Sequence, residues 1–259
     1  MSDKAIIVNG RLVHRRASMR KQGIRTSLGL VLGEDVAVLV KDGGVAERVS
    51  LVELPSVFLQ WQLASRGVLF MQHMAQGDRV ARFQAHLPVL VTVSTDGAFP
   101  FHTANKGTGL LPQEQHLARD TAGLRSLLEQ SRQRGWRESL RERVAFMSTL
   151  YADPDHWDPR CLGSLEIFQG TSYRNIQGDP RVTLHYTGTP PDYPSFQVNA
   201  LAQVIGPESP HYEYLYWARQ LFEYDSFHIQ QPAYPAGYLF WPCEVFDKSP
   251  SGQAGQRIA

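Results

Sequence analysis

Thr171-Ser172-Tyr173-Arg174 is the stretch of this sequence whose residue types come nearest to a defined chemistry. Two hydroxyls and a guanidinium fall at the start of a short helical segment, where the first backbone N–H groups have no carbonyl partner within the helix. Such a place suits a phosphate ester, because amides and hydroxyls donate to its oxygens while the arginine supplies charge. The same residues also have a structural reading, in which Ser172 caps the helix and Arg174 pairs with Asp179 or stands in solvent. A second concentration of charge, Arg11, Arg15, Arg16, Arg20, Lys21 and Arg25 with His14 among them, makes a local positive field near the N-terminus. No aromatic platform is interleaved there for bases to stack on, so nucleic acid is not expected. A solvated strand edge, or an arm lying on an acidic partner surface, accounts for it.

Chemistry that needs a fixed motif is missing from the sequence: there is no GxSxG elbow, HExxH helix, Walker loop or Rossmann glycine fingerprint. The 2 cysteines, Cys161 and Cys243, have neither CxxC nor zinc-finger spacing, which argues for buried, reduced thiols rather than a disulfide framework or structural zinc. Lys and Arg total 26 against 25 Asp and Glu, a net charge of +1, so no global field draws in polyanions. With 259 residues, 42% apolar and 20% charged, the chain can bury a core unaided as one large domain with a small companion. No apolar run approaches the roughly 18 residues that a membrane span needs, and Ala5 to Val8 is too short for a secretory signal. A cytoplasmic protein with no membrane partner is expected.

The elements that must position these residues follow from period and punctuation. Residues 1–55 carry short β-type runs, Ala5–Val8, Leu28–Leu32, Val36–Lys41 and Arg48–Glu53, between Asn-Gly and Asp-Gly turns, and read as a small β-rich subdomain. Residues 56–259 read as the main domain. It opens with a helix from Val57 to Gln76 interrupted near Gly67, followed by a hairpin over Leu87–Ser94 and Phe99–Thr103 around Asp96-Gly97. Residues 111–150 form a helical insertion of two helices joined near Gly135, since Trp136, Leu140, Val144, Met147 and Leu150 share one face. The charged opposite face is expected in solvent. Strands return at Ser164–Phe168, Val182–Tyr186, Phe196–Ile205 and Tyr238–Phe246, with a helix from about Pro210 to Tyr224 and a frayed tail from Lys248. The expected class is α+β, mainly antiparallel β.

Four passages in order carry a resemblance: Leu90-Val-Thr-Val-Ser-Thr-Asp96-Gly97-Ala-Phe-Pro100-Phe-His102-Thr103, then Ser164 to Phe168 with Ser172-Tyr-Arg174-Asn175-Ile176-Gln-Gly-Asp179-Pro180-Arg181-Val182-Thr-Leu184, then Gln197 to Ile205 ending in Gly206-Pro207-Glu208, and the closing Gly237 to Phe246. Together they resemble the pyridoxamine-phosphate-oxidase-like FMN-binding split β-barrel family. The resemblance implies a split β-barrel, a homodimer, and an FMN site in which Thr171, Ser172 and Arg174 hold the phosphate while His102 and Thr103 lie beside the flavin ring. Lys106, in the glycine-containing segment that follows, can answer a phosphate or a substrate carboxylate, or stand in solvent. The family commonly has a basic pair where this chain has Thr171 and Ser172. An FMN-dependent oxidoreductase acting on a small molecule is therefore expected, since the cofactor would carry the redox chemistry without a catalytic triad. Two alternatives stay open. Some relatives of the barrel bind or process haem, for which His228, His185 and His211 are ligand candidates. The chain could instead be a cofactor-free accessory or assembly protein, meeting a protein partner through its N-terminal subdomain or its helical insertion.

Overall fold

The structure, a computed structural model, describes residues 6–8, 11–13, 28–41, 44–70, 84–94, 98–135, 137–222, 233–252 and 254–259. Most of the basic stretch, from His14 to Arg25, the Asp96-Gly97 turn, Trp136 and His228 lie outside these residues.

A β-hairpin of β1 (Ile6–Val8) and β2 (Arg11–Val13) precedes a three-stranded antiparallel sheet of β3 (Gly29–Leu32), β4 (Val36–Lys41) and β5 (Gly44–Ser50). Helix α1 (Ser56–Leu63) runs directly into a π-helical stretch, Ala64–Phe70, so the expected interruption at Gly67 is a widening of the helix rather than a break. After a 3-10 turn at Gln84–His86 come β6 (Val89–Val93), β7 (Phe101–Asn105) and β8 (Gly109–Pro112), then helices α2 (Glu114–Arg134) and α3 (Leu140–Tyr151). The remainder is β9 (Trp157–Glu166), α4 (Thr171–Gly178), β10 (Arg181–Thr187), β11 (Ser195–Ile205), α5 (Pro210–Gln220) and β12 (Ala236–Asp247).

The main sheet is antiparallel and 7-stranded, in the order β7-β6-β10-β11-β12-β9-β8. Its two edge strands are consecutive in the chain, joined by Lys106-Gly107-Thr108 alone. Laid flat, the outermost strands of such a sheet would stand roughly 29 Å apart at about 4.8 Å per strand. A link of this length reaches roughly 13 Å. The sheet must therefore curl until its edges approach, with no ladder between them: it is a split β-barrel. The fold class is α+β and mostly antiparallel.

The barrel is filled by Leu90, Leu184, Tyr186, Phe196, Val198, Tyr238, Phe240 and Val245, all buried. Helix α1 sets Phe58 edge-on to Tyr186 and Phe196, with ring centroids 5.2 and 5.3 Å away. Burying that side chain contributes roughly 2 kcal/mol. The β3–β5 sheet packs Ala37 and Leu39 onto Leu201 and Cys243, on the outer face of β11 and β12. Backbone bonds from Val52 N–H to Pro242 O (2.9 Å) and Leu54 N–H to Pro159 O (2.7 Å) continue the seam. Strands covered on both faces read as nearly continuous apolar runs, as β12 does.

Three expectations change. The helical insertion begins after Pro112 rather than at residue 111, because Gly109–Pro112 pairs with β9 as a barrel strand; β9 itself starts at Trp157, ahead of the motif at Ser164. The charged face of the insertion is not wholly solvated. Asp120 is buried with its Oδ2 2.6 Å from His156 Nε2, and buried Arg143 donates to Leu221 O at 2.5 Å, ties that hold α2 to the turn before β9 and α3 to the end of α5. The tail is also folded back: Val245 N–H donates to Ala259 O (2.9 Å), Asp247 N–H to Gln256 O (3.0 Å), and Arg257 pairs with Glu244 at 3.1 Å.

Candidate functional site

Where the sheet edges approach, the structure forms a half-open cavity of about 440 Å³, within the range of small-molecule sites. One wall is the β7–β8 link with the end of β9 and the start of α4. The opposite wall is apolar and comes from Met147 and Tyr151 of α3 and from Leu215, Ala218 and Phe222 at and after α5. Gly163 of β9 allows that second wall to close, since a Cβ there would lie 2.8 Å from Leu215 and 2.9 Å from Leu111.

His102, Lys106, Thr171 and Ser172 all line this cavity. Thr103 does not: successive strand residues point to opposite faces, so with His102 inward Thr103 is exposed. Arg174 is also exposed and off the cavity, but its guanidinium donates to Thr171 Oγ1 at 3.2 Å. Asp179 pairs with Arg181 at 2.5 Å rather than with Arg174. The helix cap is Gly170, not Ser172, which sits one position inside α4. Ser172 is 9% exposed, and its hydroxyl has no hydrogen-bond partner among the described residues. The first amides of α4 lack intrahelical acceptors there, Arg174 N–H being the one that reaches Gly170 O (3.2 Å). Buried Asn175 fixes the helix by donating to Thr92 Oγ1 at 3.0 Å.

Lys106 is 9% exposed rather than solvated. Its ammonium lies 2.7 Å from Glu166 Oε2 and 4.8 Å from the centre of the Tyr238 ring. The Tyr238 hydroxyl donates to the same carboxylate oxygen, while Glu166 Oε1 accepts from Phe168 N–H at 2.9 Å. Burial pushes the Lys106 ammonium below the ordinary lysine range, against the hydrogen bond and charge of Glu166. Burial and then the bond to Glu166 push the Tyr238 phenol up.

Sequence reasoning missed Glu166, Arg66 and His86. Arg66, from the π-helical stretch, is buried and donates to Gln62 Oε1 (3.0 Å), Ala85 O (3.0 Å) and Thr108 O (2.9 Å). His86 Nδ1 lies 2.7 Å from Thr108 O, and its ring packs close against Gly107, where a Cβ would be 3.0 Å from Nε2. The available signal was a charge inside an otherwise apolar segment, Arg66 in the first helix and Glu166 in its strand. Of the haem-ligand candidates, His185 on β10 and His211 on α5 are not among the residues lining the cavity, and His228 lies outside the described residues.

Fold and cavity together define a split-barrel protein with a ligand-sized chamber at the split. The motif from Ser164 to Val182 falls on strand, turn, short helix and next strand as the resemblance to the pyridoxamine-phosphate-oxidase-like family implies. No protein-family profile matches the sequence, and none of the curated proteins does. Solved structures similar to this chain include Group A Streptococcus HupZ, with a TM-score of 0.38 and 11% identity over 73% of this chain and 97% of that one. General Stress Protein 26 from Bacillus anthracis has a TM-score of 0.35 and 13% identity, over 73% of this chain and 94% of that one. An FMN-binding protein from Syntrophomonas wolfei has a TM-score of 0.35 and 9% identity, over 76% of this chain and 95% of that one. Likeness at this level says nothing about activity. Among the described residues no helix is long and apolar enough to cross a membrane.

Proposed function

We propose that the cavity binds FMN and that the chain is an FMN-dependent oxidoreductase acting on a small molecule. The observation that supports this reading best is Ser172: a residue nine-tenths buried that lines the cavity from the first turn of a helix, its hydroxyl without a hydrogen-bond partner among the described residues. A phosphate oxygen would satisfy it together with the free amides of that turn. Thr171 adds a second hydroxyl, and Arg174 stands behind it as the cation. The apolar wall from α3 and α5 suits a flat ring and excludes water from it. FMN bound here would supply the electron transfer. The chain's own residues would hold the phosphate at α4, present His102 along the ring's flank, and keep the chamber dry.

The test is direct. Purified protein should be yellow or take up FMN, with quenching of flavin fluorescence. Ser172→Ala should weaken FMN binding about five- to tenfold, the scale of one hydrogen bond. Arg174→Ala should cost less, since its guanidinium is exposed and reaches the site through Thr171. Riboflavin, which lacks the phosphate, should be indifferent to both changes. Protein that takes up neither flavin ends this reading and leaves the accessory role; a Soret band would replace flavin with haem.

A further inference from the structure

The Lys106–Glu166–Tyr238 cluster has no part in holding a phosphate, since the lysine's charge is already matched. Yet it is built with care at the cavity wall. Three groups from three elements meet on one carboxylate: Lys106 from the β7–β8 link, Tyr238 from β12, and Phe168 N–H from the turn after β9, with Glu166 at the end of β9 itself. Lys106 and Glu166 both face the cavity. An ion pair serving stability alone gains little from such burial, because the desolvation of two charges offsets most of their attraction. The arrangement does have one clear capability. An ammonium held between a carboxylate and an aromatic face, with N–H bonds to spare, can release a proton into the cavity while its partner keeps its negative charge.

We propose that Lys106, held in place by Glu166 and Tyr238, is a proton donor opening onto the cavity, exchanging a proton with a ligand bound there. The ligand class is one with a basic nitrogen or oxygen at the end of the chamber away from α4. In the forward step one N–H bond of Lys106 breaks, its electron pair stays on Nζ, and the proton forms a bond to the ligand's basic atom. Glu166 keeps the hydrogen bonds it accepts from Tyr238 and Phe168. The neutral amine takes up a proton again from solvent when the ligand leaves. Burial favours the step by bringing the ammonium nearer to neutral pH. The other ionisable groups facing the cluster or the cavity are Arg66 and His86 on the first-helix side, His102 on β7, Tyr151 on α3, Tyr173 on α4, and Tyr214 and Arg219 on α5. The inference rests on the reading of this chamber as a ligand site, and it is tested first on ligand-free protein.

The experiment is a pH titration of the full chain carrying 13Cε-labelled lysine, followed by NMR, with Lys106→Arg identifying the resonance. Lys106 should titrate below Lys4, Lys21, Lys41 and Lys248. Tyr238→Phe keeps the ring but removes the hydroxyl from Glu166, concentrating the carboxylate's charge on the lysine, so the Lys106 midpoint should rise. Glu166→Gln should lower it further; if that variant does not fold, Tyr238→Phe alone decides. Titration of Lys106 together with the other lysines, or a midpoint unmoved by Tyr238→Phe, overturns the proposal. Saturating FMN is the second arm. A moved Lys106 midpoint supports contact with the ligand, whereas bound FMN with an unmoved midpoint overturns it. Failure of FMN to bind at all defeats the flavin reading and leaves the proton-donor role of Lys106 to the ligand-free titration.

Discussion

At the scale of single residues, the Lys106–Glu166 pair is where removing one atom group should matter most. Lys106→Met leaves a buried carboxylate without its cation, and breaking a buried pair from one side costs about 3 kcal/mol. The double variant Lys106→Met with Glu166→Gln should recover a large part of that loss in urea titrations, because no orphaned charge remains. A second residue-level expectation concerns pH. Burial lowers His185, helped by the charge of Lys248, and burial also lowers His211. A histidine depressed in the folded state binds its proton first in the unfolded chain, so stability is full above the ordinary histidine range near 6.5 and falls as pH drops below it. Thermal melts from pH 7.5 to 5 should show this decline, and it should flatten in the double variant His185→Gln, His211→Gln. A decline unchanged in that variant would assign the loss to other groups. The candidate site was legible in part at this scale. Hydroxyls beside a helix start are a local signal, so Thr171 and Ser172 could be read. The partner of Lys106 could not, since Glu166 is 60 residues away and only the barrel's curl brings the two together.

Among elements, the helical insertion is tied to the barrel by a few buried polar contacts. His156 lies in the turn just before β9, its ring stacked on His116 of α2 with centroids 4.7 Å apart, and Asp120 of α2 meets its Nε2. Trypsin should cut first at the exposed end of α2, at Arg132 or Arg134, before any barrel strand. Asp120→Ala should bring that cut forward in time by loosening α2; unchanged cleavage would mean the tie holds nothing. Helices and long strands were readable from period alone, as the Val144, Met147 and Leu150 face shows. What escaped was β8: Gly109–Pro112 is too short for a periodic signal, and its strand character comes from pairing with β9 rather than from its own sequence. The tail escaped for a related reason. Ser, Gly and Gln suggest fraying, but Ile258 and Ala259 find partners on Val245 that composition does not reveal.

For the whole molecule, β7 is one of the two edge strands of the main sheet among the described residues; Phe99 beside it is 82% and Phe101 on it 66% exposed, and Phe168 at the cavity rim is 60% exposed. Apolar residues along an unpaired edge invite cover. A homodimer is expected to use this flank, and sedimentation of Phe99→Ser/Phe101→Ser should show monomer where the parent chain shows dimer; a parent that is monomeric at micromolar concentration removes the expectation. The outer face of β11 and β12 is closed to such a partner by the β3–β5 sheet. The link Lys106-Gly107-Thr108 has a mechanical meaning of its own. It is the backbone clasp between two sheet edges that no ladder joins among the described residues, and it is latched from across the split by Ser164 Oγ on Gly107 O (2.5 Å) and by Arg66 on Thr108 O. Most surface loops of a barrel tolerate being opened and the chain rejoined elsewhere. A circular permutant opened between Gly107 and Thr108 would instead unfasten the barrel, unroof the chamber and detach the lysine from its carboxylate at a single cut.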